Sequence, residues 1–249
     1  MKFYSLSYFI LVSLLIASAL AHAECISLHS VTQKSNITKD SDLFKIYDSE
    51  VKISKNIQEK NISALENFLK EHASTSGALT KKQAEPILLS ISNHPVVGDS
   101  AADKYNTNQE VGYCFGRAAY VHFELLKAGV LDKNITKIFA MGGLYRDNVG
   151  WDYHMATAFQ DVNSDWWVID NLTGNELLSI KDWMSQVSKW DGNRKDPRLR
   201  FYFTDAAKFL PIKGSYSLKR FNSPIYHGYF KDLLNRYSDK NNCIKSSKL

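Results

Sequence analysis

Ten consecutive residues, Trp151–Gln160, admit few structures. Trp151, Tyr153, Met155, Thr157 and Phe159 fall on one side of an extended chain, and Asp152, His154, Ala156, Ala158 and Gln160 on the other. Successive side chains of a strand point to opposite faces, so the run reads as a half-buried strand. The turn formers Asp161-Val162-Asn163-Ser164-Asp165 follow, and Trp166–Asp170 reads as the returning strand of an antiparallel hairpin. A turn centred on Val162 sets His154 directly opposite Asp170. A turn centred on Asn163 sets Asp170 opposite Ala156, diagonal to His154. In either register the two side chains share a face, within about 4.5–8 Å at Cβ. The rest of that face is largely alanine, which leaves room for a helix.

Upstream, Tyr113–Ala128 has helical spacing, with Cys114, Ala118, Val121 and Leu125 on one face and Phe115, His122 and Leu126 beside it. Gly129 supplies the stop. Cys114 therefore opens a helix, where unpaired N–H groups and the positive end of the macrodipole favour a nucleophilic sulfur. A buried structural thiol fits the same pattern.

The first residues weigh on that choice. Met1–Ala23 carries Lys2, an apolar block over Phe9–Leu20 and a terminal Ala21-His22-Ala23, the form of a secretory signal cut before Glu24. The apolar block is shorter than the ~20 residues of a spanning helix, so no membrane anchor is expected. Export to an oxidising compartment lets Cys25 and Cys243 pair across the ends of the mature chain, and leaves Cys114 as the unpaired thiol. A reactive role is a good reason to keep one.

About 226 residues then remain, enough for one large domain or a domain with an accessory part. The formal charge of +5 falls to about +4 without Lys2. Basic residues do not interleave with aromatics, so a nucleic-acid partner is not expected. N-x-S/T triplets begin at Asn36, Asn61, Asn134 and Asn171, as chance allows in an Asn-rich chain.

Residues 24–100 are rich in Lys, Ser, Asn and Gln, with helices predicted over Ile57–His72 and Lys81–Ser92. They read as an accessory lobe, a removable pro-segment or the ordinary start of one domain, with the cysteine-bearing domain in 101–249. In that second part a strand is predicted over Ile135–Met141, ending at Gly142-Gly143. A helix follows over Ser179–Lys189, a strand over Arg198–Thr204 and a helix over Gly228–Tyr237. There is no internal repeat.

A helix that starts at a cysteine, followed by strands bearing a histidine and then an aspartate, is the layout of a Cys-His-Asp acyl-transfer site. Cys114 would attack a carbonyl, His154 would hold and deliver the proton, and Asp170 would orient the imidazole. The Cys114 N–H is the first oxyanion donor to consider, with Asn108, Gln109 or the Trp151 indole as a second. His122 lies two helical turns beyond Cys114 and rotated from it, so a structural role is expected. No histidine shows ligand spacing, so neither metal nor cofactor is proposed.

The motifs Gly112-Tyr113-Cys114-Phe115-Gly116-Arg117-Ala118, Lys137-Ile138-Phe139, Trp151-Asp152-Tyr153-His154-Met155-Ala156 and Trp167-Val168-Ile169-Asp170 resemble the core of bacterial secreted protein-glutaminases, in the transglutaminase-like superfamily. The resemblance runs from about Gly112 to Trp183. It implies an α+β, transglutaminase-like or papain-like core, the roles just given to Cys114, His154 and Asp170, and hydrolysis of glutamine side-chain amides in proteins. It also implies an inhibitory pro-segment. Where the family pattern has a proline after the aspartate, this chain has Asn171. The same triad would serve a transglutaminase or a cysteine peptidase, since these differ in what reaches the thioester second. A reading of another class is a non-catalytic exported binding module presenting Trp151, Trp166, Trp167 and Trp190.

Overall fold

A computed structural model describes residues 25–26, 41–53, 56–73, 77–105, 113–193, 196–214, 216–237 and 244–245. The signal-like residues, Asn108, Gln109 and Cys243 lie outside them.

The chain is α+β. In order, the elements are β1 (Cys25–Ile26), α1 (Leu43–Ile53), α2 (Ile57–Glu71), α3 (Lys81–Ser92), α4 (Ala102–Tyr105), α5 (Cys114–Lys127), β2 (Ile135–Arg146), β3 (Val149–Gln160), β4 (Trp166–Ile169), β5 (Leu178–Ser179), α6 (Ile180–Ser188), β6 (Arg200–Asp205), α7 (Leu218–Phe221), α8 (Tyr229–Asn235) and β7 (Ile244–Lys245). Strands β5-β4-β3-β2-β6 form one sheet in that spatial order, and β1 pairs separately with β7. All the pairings are antiparallel.

The longest ladder joins β2 to β3, from Ile135↔Phe159 to Met141↔Tyr153, then Leu144↔Trp151 to Arg146↔Val149 after a bulge. Gly142-Gly143, read from sequence as the end of a strand, is that bulge. Gly142 has φ 134°, and a Cβ there would lie 3.0 Å from the Tyr47 hydroxyl, a conformation and a space that suit glycine. The strands therefore run on to a two-residue turn in which Asp147 and Asn148 both have positive φ, the type I′ geometry that matches strand twist.

Alternation sorts the sheet into two cores. Phe139, Met141, Met155 and Phe159 pack with Ala118, Val121 and Leu125 of α5 and with Phe209, Tyr216 and Phe230 from the C-terminal part. Ile138, Ala140, Ala156, Ala158 and Val168 pack with Trp183 and Val187 of α6 and with Phe68 of α2. The alanine face does receive a helix, and it is α6; the cysteine helix lies on the opposite face, where Thr157 Oγ1 donates to the Ala118 carbonyl at 2.6 Å. Large side chains such as Trp183, which has no exposed surface, each contribute about 1.5–3 kcal/mol on burial. Trp151 leaves the alternation: beyond the bulge it packs partly against the α6 core, since a bulge adds local twist.

The N-terminal helices are built by their own caps. Asn56 accepts from the Glu59 amide, and Thr80 with Gln83 forms a full capping box that starts α3 despite Pro86 at its sixth position, each cap contributing about 1 kcal/mol. These helices share both cores with the sheet. Phe68 stacks on Phe203 with ring centroids 4.5 Å apart. Asn61 donates to the Leu199 carbonyl and accepts from Arg200 and the Phe201 amide. Leu88 and Ile91 enter the α5 core. Asn61 and Asn134 are buried, which leaves no space for a glycan on either in the folded chain.

Candidate active site

Helix α5 begins without a side-chain cap: Tyr113 is its N-cap residue and makes no side-chain bond to it. The amides of Gly116 and Arg117 both return to the Tyr113 carbonyl. The N–H groups of Cys114 and Phe115 have no partner among the described residues, the open helix end a developing oxyanion requires. Tyr229 closes the back of this first turn. Its hydroxyl lies so near Gly116 that a Cβ there would be 2.2 Å away, so a glycine at this position lets the ring seat.

His154 reaches the site from β3 and Asp170 from the residue after β4. The ladder Thr157↔Ile169 to Gln160↔Trp166, continued by one residue, sets Asp170 opposite Ala156 and diagonal to His154. This is the register of a turn centred on Asn163. His154 Nε2 lies 2.7 Å from Asp170 Oδ2, and both side chains are about 5% exposed. The other ring nitrogen, Nδ1, is not used by Asp170, and the Cys114 side chain is close enough to favour the charged imidazole. Cys114 comes from the opposite face of the sheet: β4 stops short, and the side of β3 beyond its end is where a small cavity is lined by Cys114, Arg117, Met155, Ala156, Asp170 and Asn171. Cys114 is 8% exposed.

The electrostatics follow from these contacts. Burial works against an imidazolium at His154, but the charge and hydrogen bond of Asp170 and the contact with Cys114 outweigh it and raise the group to about 9. Burial alone would raise Asp170. The His154 charge and bond, the Trp183 indole N–H at 2.8 Å and the Leu172 amide at 3.1 Å overcome it and hold the carboxyl below its ordinary value. Above the imidazole, Trp183 and Trp190 lie 5.9 and 5.5 Å away between ring centroids. Arg146 covers Trp190 and donates to the Leu172 carbonyl.

Sequence spacing missed two of these residues. Trp183 reads as an inward core position of an amphipathic helix, and nothing in that period reveals that its N–H meets Asp170. Tyr153 alternates away from His154, yet it lies on the α5 side, where burial and then the neighbouring Cys114 push its hydroxyl upward. Of the second oxyanion candidates, Asn108 and Gln109 are outside the described residues, and Trp151 is half-buried against the α6 core. The register sets Cys25 opposite Lys245; its proposed partner Cys243 is also outside.

His122 is fully buried between Asp132 and Tyr216, a structural position. Trp166 and Trp190 are buried and Trp151 and Trp167 half-buried, so these four do not form an exposed aromatic surface. Among the described residues, no three His, Cys, Asp or Glu side chains converge as a metal would require, and no helix is long and apolar enough to cross a membrane. A wider cleft of about 390 Å³ lies between Gln58, Asn61, Ser188, Lys189, Asp191, Pro197 and Leu199, and Cys114, His154 and Asp170 are not among its lining residues.

A thiol beside an imidazole that is itself bonded to a carboxylate has the group types that nucleophilic acyl transfer uses. No family model matches this chain, and no curated protein does. The solved structures include one match, the NMR structure of protein-glutaminase from Chryseobacterium proteolyticum, with 13% identity and a TM-score of 0.41 over 64% of this chain and 88% of that one.

Proposed function

We propose that this protein is an exported cysteine amidohydrolase that deamidates glutamine side chains in proteins or peptides. The observation that carries the proposal is the bonded His154–Asp170 pair beside Cys114, which opens an uncapped helix and lines the same small cavity as Asp170. Supporting it are the motifs around these residues and the signal-like N-terminus.

In this reaction the Cys114 sulfur, facing the imidazolium of His154, attacks the amide carbon. The carbonyl oxygen takes the electron pair and is held by the Cys114 and Phe115 N–H groups. As the C–N bond breaks, His154 gives its proton to the leaving nitrogen and ammonia departs, leaving a thioester. The neutral imidazole then takes a proton from water, the hydroxide attacks the thioester carbon, and the C–S bond breaks to release the glutamate side chain. Asp170 holds the ring in place throughout and balances its charge.

The test is ammonia release from a glutamine-containing protein by the full chain, with mass spectrometry of the substrate. Deamidation, loss of activity in Cys114→Ala and an unchanged melting temperature support the proposal. Cross-linking or peptide fragments assign the same site to a transglutaminase or a peptidase. No modification of any kind removes the enzymatic reading.

A further inference from the structure

Asp170 is followed by a tight turn that pins the next residue from both sides. Asp170 Oδ1 accepts from the Leu172 amide, the Asp170 carbonyl accepts from the Thr173 amide and hydroxyl, and Arg146 holds the Leu172 carbonyl. The pinned residue is Asn171, which lines the same cavity as Cys114. Its Oδ1 is buried and has no hydrogen-bond partner among the described residues. Arg117, the one cation in the cavity wall, makes no bond to it. A buried carbonyl oxygen without a donor is costly, and most such groups in folded proteins are paired. The cost is recovered when a ligand brings the donor.

We infer that Asn171 is a specificity-determining residue, whose Oδ1 accepts an N–H from the primary carboxamide that Cys114 attacks. The inference rests on the proposed amidohydrolase reading and adds the atom that recognises the leaving nitrogen. A primary amide carries two N–H groups, and His154 needs only the lone pair of that nitrogen. One N–H is then free for Asn171, both before the C–N bond breaks and in the departing ammonia. An ester offers an oxygen with no hydrogen at the same place, so it leaves Oδ1 unpaired and faces it with a second acceptor. A site built to bond a substrate N–H discriminates against analogues that lack it. A proline at this position would present no side-chain acceptor, so the preference would belong to this chain.

The experiment compares one peptide in two forms, with a glutamine or with the γ-methyl ester of glutamate, using the full chain and reading ammonia or methanol release. Asn171→Leu matches the side chain in size and cannot accept; Asn171→Ala is the second variant should the first fail to fold. The expected result is a loss of about ten-fold in kcat/KM for the amide, with the ester changed less than about two-fold and the melting temperature retained. Equal losses on amide and ester, or no loss on either, overturn the role of Asn171 and leave the amidohydrolase reading standing. Turnover of neither form by the unaltered protein overturns both.

Discussion

The Trp183–Asp170 bond offers a measurable test of how the site is held together. The indole N–H donates to Oδ2 at 2.8 Å, and both groups are buried. A bond to a charged acceptor in that setting contributes about 1.5–3 kcal/mol. Trp183→Phe removes the donor and part of the ring, so it should cost about 2–4 kcal/mol, the bond plus a small cavity. Asp170→Ala removes the acceptor and orphans the indole. The cavity terms are similar in both backgrounds and cancel in a double-mutant cycle, which leaves a coupling of about 2 kcal/mol or more. Urea denaturation of the four proteins, with m-values checked for constancy, measures it. The two changes adding within about 0.5 kcal/mol would refute the bond, and Trp183 would be core packing alone. In Trp183→Phe, deamidation should also slow through kcat, because the carboxylate that steadies the imidazole has lost a support.

Three further outcomes are expected. Gly116→Ala sets a Cβ 2.2 Å from the Tyr229 hydroxyl and 2.5 Å from its ring carbon, so it should lower stability by about 1–3 kcal/mol in thermal or urea melts, with Tyr229→Phe giving at best partial relief. Lys137 is fully buried, its Nζ has no hydrogen-bond partner among the described residues, and burial lowers it to about 7. The unfolded chain keeps that proton up to about 10.5, so Lys137 makes stability rise with pH from about 7, while His154, raised to about 9 from 6.5, makes it fall from about 6.5 to 9. The two oppose each other between about 7 and 9, and Lys137→Met should stabilise the protein at pH 7 and expose the fall due to His154 in urea titrations across that range. Deletion of residues 24–100 should yield a chain that fails to melt cooperatively in calorimetry, since Phe68, Leu88 and Ile91 belong to the two cores; a deletion protein with a sharp transition would show a separable segment.

Much of this was legible in the order of the residues. Period-two alternation alone placed His154 and Asp170 on one face, because a strand has no other way to orient its side chains. The 3.6 spacing from Cys114 to Leu125 marked α5, and Ser179 marked the start of α6 by accepting from the Asp182 amide. Glycines misled where they served a bulge: Gly142-Gly143 looked like an end and was a bend within β2, because a bulge and a chain break ask for the same residue.

The helix start at Cys114 and the shared face of His154 and Asp170 are local consequences of residue spacing. Long-range packing settles that the turn centres on Asn163 and that α5 packs on the face away from His154. The same packing sets Cys114 and Asp170 in the wall of one small cavity and lets Trp183 donate to Asp170. The reason is physical. Dihedral preferences and side-chain periodicity act over a few residues, whereas the docking of α5 and α6 on opposite faces depends on which large side chains fill each core, and those come from every part of the chain.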